Sequence, residues 1–158
     1  MPKEIDLQYI LMALGLTMVF VGIIGFERQR KHKVAGMTTH VLVALGSCAL
    51  AIVSENLFVD TIRYASEHPE ITANLVAERG RIIAGVITGV GFLGTGAILK
   101  TNGSLHGLTT ASTVWISAII GVVFGLGYNT LGIVVSIFSI FTLVIIKRIF
   151  GKLYNESN

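Results

Sequence analysis

The residues able to do chemistry in this chain fall into a few places. Glu27 and Arg28 close the first apolar run, and Arg30, Lys31 and Lys33 follow directly. His40, Ala44, Ser47, Ala51 and Glu55 share one face of the second run, so two ionisable ends bracket three small residues. Ionisable groups inside a membrane span usually face the bundle or a cavity and are functional candidates. His40 suits a ligand or proton-relay role, and Glu55 suits it less. Both lie near the ends of their run, where water and headgroups are within reach. No Asp or Glu occurs from Arg79 through Asn155. A hard divalent cation wants oxygen ligands, commonly one or two carboxylates. Any direct cation site must therefore use Glu27, Glu55, Glu78 or backbone carbonyls, and the identity of a metal stays open. The cations around Glu27 suit a bound anion or an anionic headgroup better. They also serve simply as a topology signal. Glu27 itself reads as a salt-bridge acceptor.

Other chemistries find little support. Ser, His and Glu are present, but no G-x-S-x-G nucleophile elbow is, so no enzyme activity and no cofactor are expected. Gly89-Val90-Gly91-Phe92-Leu93-Gly94 has the spacing of a dinucleotide fingerprint. That motif needs a preceding strand and an acid about 20 residues on. Here it lies inside an apolar span with no acid after it, so it reads as a deformable helix that can bend or break. Cys48 is the only cysteine, which excludes an internal disulfide and a cysteine metal cluster. The net charge of +3 sits beside apolar segments, so the lipid bilayer is the expected partner, and nucleic acid is not.

These residues must be positioned by membrane helices. Only 13% of the 158 residues are charged and 53% are apolar, which is far from a soluble composition. A helix needs about 20 residues to cross a hydrocarbon core of roughly 30 Å. Five segments approach that length: 5–26, 37–57, 82–99, 108–128 and 131–150. The fold class is an all-α integral membrane bundle of about five helices forming a single domain over 1–158. The N-terminal Met1–Asp6 carries Lys3, Glu4 and Asp6 and does not resemble a cleaved leader. The first connection, Glu27–Gly36, is basic. The second, 58–81, is the longest, and Ser66–Leu75 suits a short interfacial helix. The third, Lys100–Gly107, is short, and Gly127-Tyr128-Asn129 makes the last turn. Arg28, Arg30, Lys31, Lys33, Lys100, Lys147, Arg148 and Lys152 fall on one side, against Lys3, Arg63, Arg79 and Arg81 on the other. The positive-inside rule then puts the N-terminus outside and the C-terminus in the cytoplasm.

Small residues mark where membrane helices approach closely. Thr109, Thr113, Ser117, Gly121 and Gly125 recur every four residues on the fourth helix, and Gly85 and Gly89 form a GxxxG pair on the third. Tight packing, within or between subunits, is the first reading, and a polar pathway lined by hydroxyls is the second. Gly132, Ser136 and Ser139 continue the theme, and Trp115 is expected to fill core or interface space. Ile87–Phe92 loosely echoes Ile119–Phe124, which is weak evidence of a repeat.

Two blocks carry a family resemblance. The first contains Gly22, Gly25, Glu27, Arg28 and Gln29, then Ala35, Gly36, Thr39 and His40. The second opens with Arg81, runs through Gly89, Gly91, Gly94 and Gly96, and continues as Gly107, Leu108, Thr109, Thr110, Ala111 and Trp115. Together they resemble the bacterial MgtC/SapB membrane proteins over about residues 10–128. Three features depart from the family pattern. Thr38 stands where arginine is usual, Glu78 stands where aspartate is usual, and the chain stops without the soluble C-terminal domain of the family's namesake. The resemblance implies a functional motif of Glu27, Arg28, Gln29, Thr39, His40, Glu78, Arg81, Gly89, Gly91, Gly94, Gly96, Thr109, Thr110 and Trp115. Gly85, Gly121 and Gly125 are assigned to helix packing. It also implies a bacterial plasma-membrane protein linked to magnesium limitation and, in virulent relatives, to survival in host cells. The implied role is modulation of other membrane proteins, including ATP synthase, by a homo-oligomer with a dimer favoured. The competing reading is a small transporter or channel with a path past His40, Thr88, Thr95, Thr109 and Thr113.

Overall fold

The computed structural model describes residues 6–68, 78–101 and 104–146. Five α-helices run through them: α1 (Leu7–Arg30), α2 (Met37–Glu67), α3 (Glu78–Gly96), α4 (Leu108–Gly125) and α5 (Asn129–Phe141), the last continuing as a π turn, Thr142–Ile146. Apolar runs without interrupting proline explain the helices, and local signals set their ends. The Asp6 carboxylate accepts from the Gln8 amide at 3.0 Å and caps α1. Gly107 (φ 91°) starts α4 and Gly127 (φ 82°) turns the chain into α5, both in left-handed conformations that suit glycine. A Cβ on Gly107 would also fall on the Ala97 carbonyl oxygen.

Three helices, α1, α2 and α4, are long and apolar enough to cross a membrane by length and composition, and two shorter apolar helices accompany them. Several helix ends differ from the sequence-expected ones: α1 runs on through residues 27–30, expected in the first connection, α3 spans Glu78–Gly96 rather than 82–99, and α4 ends at Gly125 rather than 128. The second helix continues past 57 to Glu67, so part of the expected loop is helical. Charges at Asp60, Arg63 and Glu67 end the apolar run but do not oppose helix formation, and an Asp60–Arg63 ion pair of 3.7 Å supports the extension. At 1.5 Å per residue α2 is about 46 Å long, more than a hydrocarbon core requires. Residues 69–75 of the expected interfacial helix, and 147–150 of the fifth helix, lie outside the described residues. The third connection is a small antiparallel hairpin, β1 (Leu99–Thr101) and β2 (Ser104–His106), with Lys100 opposite Leu105. Asn102-Gly103 between the strands is a strong short-range hairpin signal. Finally, α3 is one continuous helix through Gly89, Gly91 and Gly94, where a break was an open possibility.

α4 is the most buried of the three long apolar helices and packs most closely on α2. Val21, Ile24, Ala44, Ile120, Phe124 and Leu143 form the main core, drawn from four helical segments. Phe20 stacks on Phe124 with centroids 5.9 Å apart, and Gly132 lets α5 rest on the Phe124 ring. Contacts fix the helix directions. The Tyr9 hydroxyl donates to the Gly125 carbonyl at 2.7 Å, joining the start of α1 to the end of α4. At the other end His40 meets Thr113, Gly94 lies against Ala111, and Glu27 shares a cavity with Leu143. The five helices therefore alternate in direction, and the first and third connections share one end of the bundle.

Candidate functional site

That end gathers the polar residues. Glu27 lies in the last turn of α1 and is held by two cations. The Arg28 Nε donates to its Oε2 at 2.7 Å, and Lys31 Nζ lies 2.5 Å from its Oε1. Arg28 is fully buried, the largest such side chain among the described residues. Its two terminal nitrogens have no hydrogen-bond acceptor among the described residues. Burying a guanidinium is costly unless it is paired, so Glu27 is structurally required by Arg28. Glu27 is thus a salt-bridge acceptor, as its cationic surroundings suggest, with its partners on its own helix.

Gln29 ties the next element on. Its Oε1 accepts from the Met37 amide at 3.2 Å, and its side chain lies over Gly36, so it caps the start of α2. Three residues further along α2, the His40 ring is fully buried. Nδ1 lies 2.7 Å from the Gly36 carbonyl and Nε2 lies 2.9 Å from the Thr113 hydroxyl of α4. A carbonyl can only accept, so Nδ1 carries a proton. Thr113 also lies 2.9 Å from the Thr110 carbonyl. In a neutral ring the Thr113 proton is shared between Nε2 and that carbonyl. With a second ring proton, Nε2 donates to Thr113 and the hydroxyl donates onward. The arrangement is a short buried hydrogen-bond chain from α2 to α4, ending on a backbone carbonyl at each side.

The close approach that creates this chain is glycine-dependent. A Cβ on Gly25 would lie 2.6 Å from the Met37 Cα and 3.3 Å from the His40 Cβ. Gly121 meets the Ala44 carbonyl, and Gly125 meets the Cys48 carbonyl and the Ala51 Cβ. The His40–Ala44–Ser47–Ala51 stripe of α2 thus packs into the Thr113–Ser117–Gly121–Gly125 stripe of α4, and both are buried. The sequence places these stripes on two helices, but only the fold shows that each is the other's partner. Gly25 escaped attention because it reads as one more membrane glycine. Its position two residues before Glu27 was the available signal.

Other expected site residues are elsewhere. Thr110 is buried beside this chain, whereas Thr39 and Thr109 are exposed. Thr109 is therefore more exposed than the rest of its stripe, and with Ser112 and Thr113 it lines a cleft of about 440 Å³ between α4 and α5. Thr88 and Thr95 are exposed on α3 and bond to Ala84 and Phe92 of their own helix, so the five polar positions do not line one path. Trp115 is 42% exposed, so of its two expected places, core or interface, it does not take the core. It remains available to lipid or to a partner. Of the α3 glycines, only Gly94 approaches another helix among the described residues, at Ala111. A Cβ on Gly85, Gly89, Gly91 or Gly96 would meet nothing. Arg81 is exposed. The side chain of Glu78 lies outside the described residues. Among the described residues no group of three or more His, Cys, Asp or Glu is placed to hold a metal ion.

The coupling across the α2–α4 seam is measurable. In a cycle of His40→Ala and Thr113→Val, thermal unfolding in detergent should give a coupling of about 0.6–1.7 kcal/mol. Strict additivity would show that the two rings of contacts act independently.

Comparison with known proteins places this geometry. The chain is 39% identical over 144 residues to "Putative magnesium transporter YhiD" of Escherichia coli K12, covering 91% of this chain and 63% of that protein. It is 38% identical to "Protein SrpB" of Synechococcus elongatus, covering 86% of this chain and 74% of the relative. It is 35% identical to "Protein MgtC" of Brucella abortus strain 2308, covering 75% and 43% respectively. The chain thus spans less than two thirds of the Escherichia coli relative and less than half of the Brucella one. No solved structure matches it. The MgtC family model matches residues 14–151, which takes in the Glu27–Arg28 pair, the His40–Thr113 contact and the glycine seam. With its apolar helices and these matches, the chain is a membrane protein of the MgtC family.

Proposed function

We propose that this chain is a multi-pass protein of the bacterial inner membrane that takes part in magnesium homeostasis as a non-enzymatic modulator of other membrane proteins. In this reading the bundle crosses the bilayer five times, with the N-terminus outside and the basic end of α1 with the connection to α2 in the cytoplasm. The magnesium link draws on the name of the Escherichia coli relative. The modulator role draws chiefly on the α2–α4 seam. A transport path between α2, α3 and α4 would run through it, and there Gly121 meets the Ala44 carbonyl at backbone contact. A conduit needs a wettable lumen, and backbone-to-backbone packing leaves no such space.

A transporter is the second reading. The observations in its favour are a titratable imidazole buried between α2 and α4, bonded to Thr113, and the hydroxyl-lined cleft that Thr113 shares with Thr109 and Ser112.

Growth of a strain lacking its own copy tests the magnesium link. The intact chain should support growth at limiting Mg²⁺, and Glu27→Ala or Arg28→Ala should abolish that support. Unchanged growth with normal protein levels would remove these residues from the site. Self-association, if it uses a glycine face, should use α3. Gly121 and Gly125 are spent inside the protomer, while Gly85 and Gly89 are open. In a Cys48→Ala background, Gly85→Cys or Gly89→Cys should give a crosslinked dimer. No crosslink at any α3 position would sink the dimer on that face.

A further inference from the structure

A cavity of about 920 Å³ opens between α1 and the α5 end of the bundle. Its walls are Ile23, Ile24, Phe26, Ile140, Leu143 and Val144. Arg30, Lys31 and Lys33 stand at its rim, with Glu27 as the one carboxylate. Glu27 is already occupied by Arg28 and Lys31, while Arg30 and Lys33 form no ion pair among the described residues. The lining is therefore apolar along its depth and net positive at one end. The π turn lies on this wall. It sets Leu143 inward, 7% exposed, and leaves Val144 facing the cleft, 43% exposed. π segments inside helices are frequent at functional sites.

We propose that this cleft binds an anionic phospholipid, its acyl chain along the apolar walls and its phosphate held by Arg30, Lys33 and the outer face of Lys31. Charge complementarity selects the occupant. A free phosphate gains nothing from walls of isoleucine, leucine and phenylalanine. An uncharged apolar molecule gains nothing from the cations. A zwitterionic lipid brings a cationic headgroup against them. Basic residues beside a membrane helix attract anionic lipids of the cytoplasmic leaflet, which is where the positive-inside rule places this end. The site requires the chain to be in a bilayer, but not that it be a modulator, so it stands or falls apart from that reading.

Native mass spectrometry of the full chain released from micelles tests it, with phosphatidylglycerol and phosphatidylcholine of matched chains supplied in competition. Phosphatidylglycerol adducts should dominate. Arg30→Gln with Lys33→Gln should weaken their retention roughly tenfold or more while the melting temperature holds. Val144→Trp, which fills the cleft without changing charge, should reduce retention of both lipids. Equal adducts of the two lipids, or unchanged retention in both variants, overturns the proposal. Displacement of phosphatidylglycerol by inorganic phosphate at matched concentration would make this a free-anion site and overturn it as well.

Discussion

Glu27→Ala is expected to unfold at a much lower temperature than the native chain, with a loss of about 3–5 kcal/mol. The cause is Arg28 rather than Glu27 itself. The guanidinium is completely buried, and its sole described hydrogen bond runs from Nε to Glu27 at 2.7 Å. Its two other nitrogens already lack acceptors among the described residues. Removing the carboxylate leaves an uncompensated charge in a place without water. The double variant Glu27→Ala with Arg28→Met should regain most of the lost stability, because a buried ion pair is replaceable by apolar atoms of similar volume. Thermal unfolding in detergent reads both outcomes. If Glu27→Ala and the double variant are equally unstable, the damage does not come from an orphaned guanidinium. Growth support should fail in both variants, which separates the chemical role of the pair from its cost to the fold.

Gly121→Leu should have the other large effect, and even Gly121→Ala should be severe. A Cβ at this position lands on the Ala44 carbonyl oxygen, and the Ala44 Cα lies only 3.1 Å from it. The neighbour is backbone, so no rotamer change relieves the clash. Overpacking in a core usually costs about 1–3 kcal/mol. Here α2 and α4 must separate, which also draws His40 from Thr113, so the top of that range or beyond is expected. Trimming the neighbour with Ala44→Gly should not rescue, because the obstruction is a carbonyl. Gly85→Ala is the contrast. It faces open space in a helix, and replacing it should be neutral or stabilising by about 0.4–1 kcal/mol. Equal losses at Gly121 and Gly85 would mean that α2 and α4 do not pack as described.

Much of the bundle was legible in the sequence because bilayer thickness sets helix length. Apolar runs located all five helices, and cations marked the shared end of the first and third connections. Boundaries were less legible. Hydropathy reports where lipid ends, not where a helix ends, so the charged continuation of α2 to Glu67 read as loop. The site was legible only in part. Glu27, Arg28 and His40 stood out as ionisable groups beside apolar runs, and the family resemblance marked the same positions. Their burial was not readable, because Arg28 and Arg30 look alike in sequence while one is sealed and the other lines a cleft rim. Glycine spacing announced close packing but not its partner. Gly121 and Gly85 sit in identical motifs, yet one touches α2 and the other faces outward. Which of its two expected places Trp115 takes, core or interface, was not readable for a related reason. A large aromatic fills a core in water, but in a bilayer the outer surface is apolar too.

Flux across proteoliposomes tests the central claim most directly. The purified full chain would be reconstituted with internal dyes for Mg²⁺, H⁺ and K⁺, beside protein-free liposomes and an ionophore control. Rates indistinguishable from protein-free liposomes are expected, because α2 and α4 meet at backbone contact along the seam that holds His40 and Thr113. A saturable flux that disappears in the His40→Ala chain would contradict it and make the His40–Thr113 seam a conduction path.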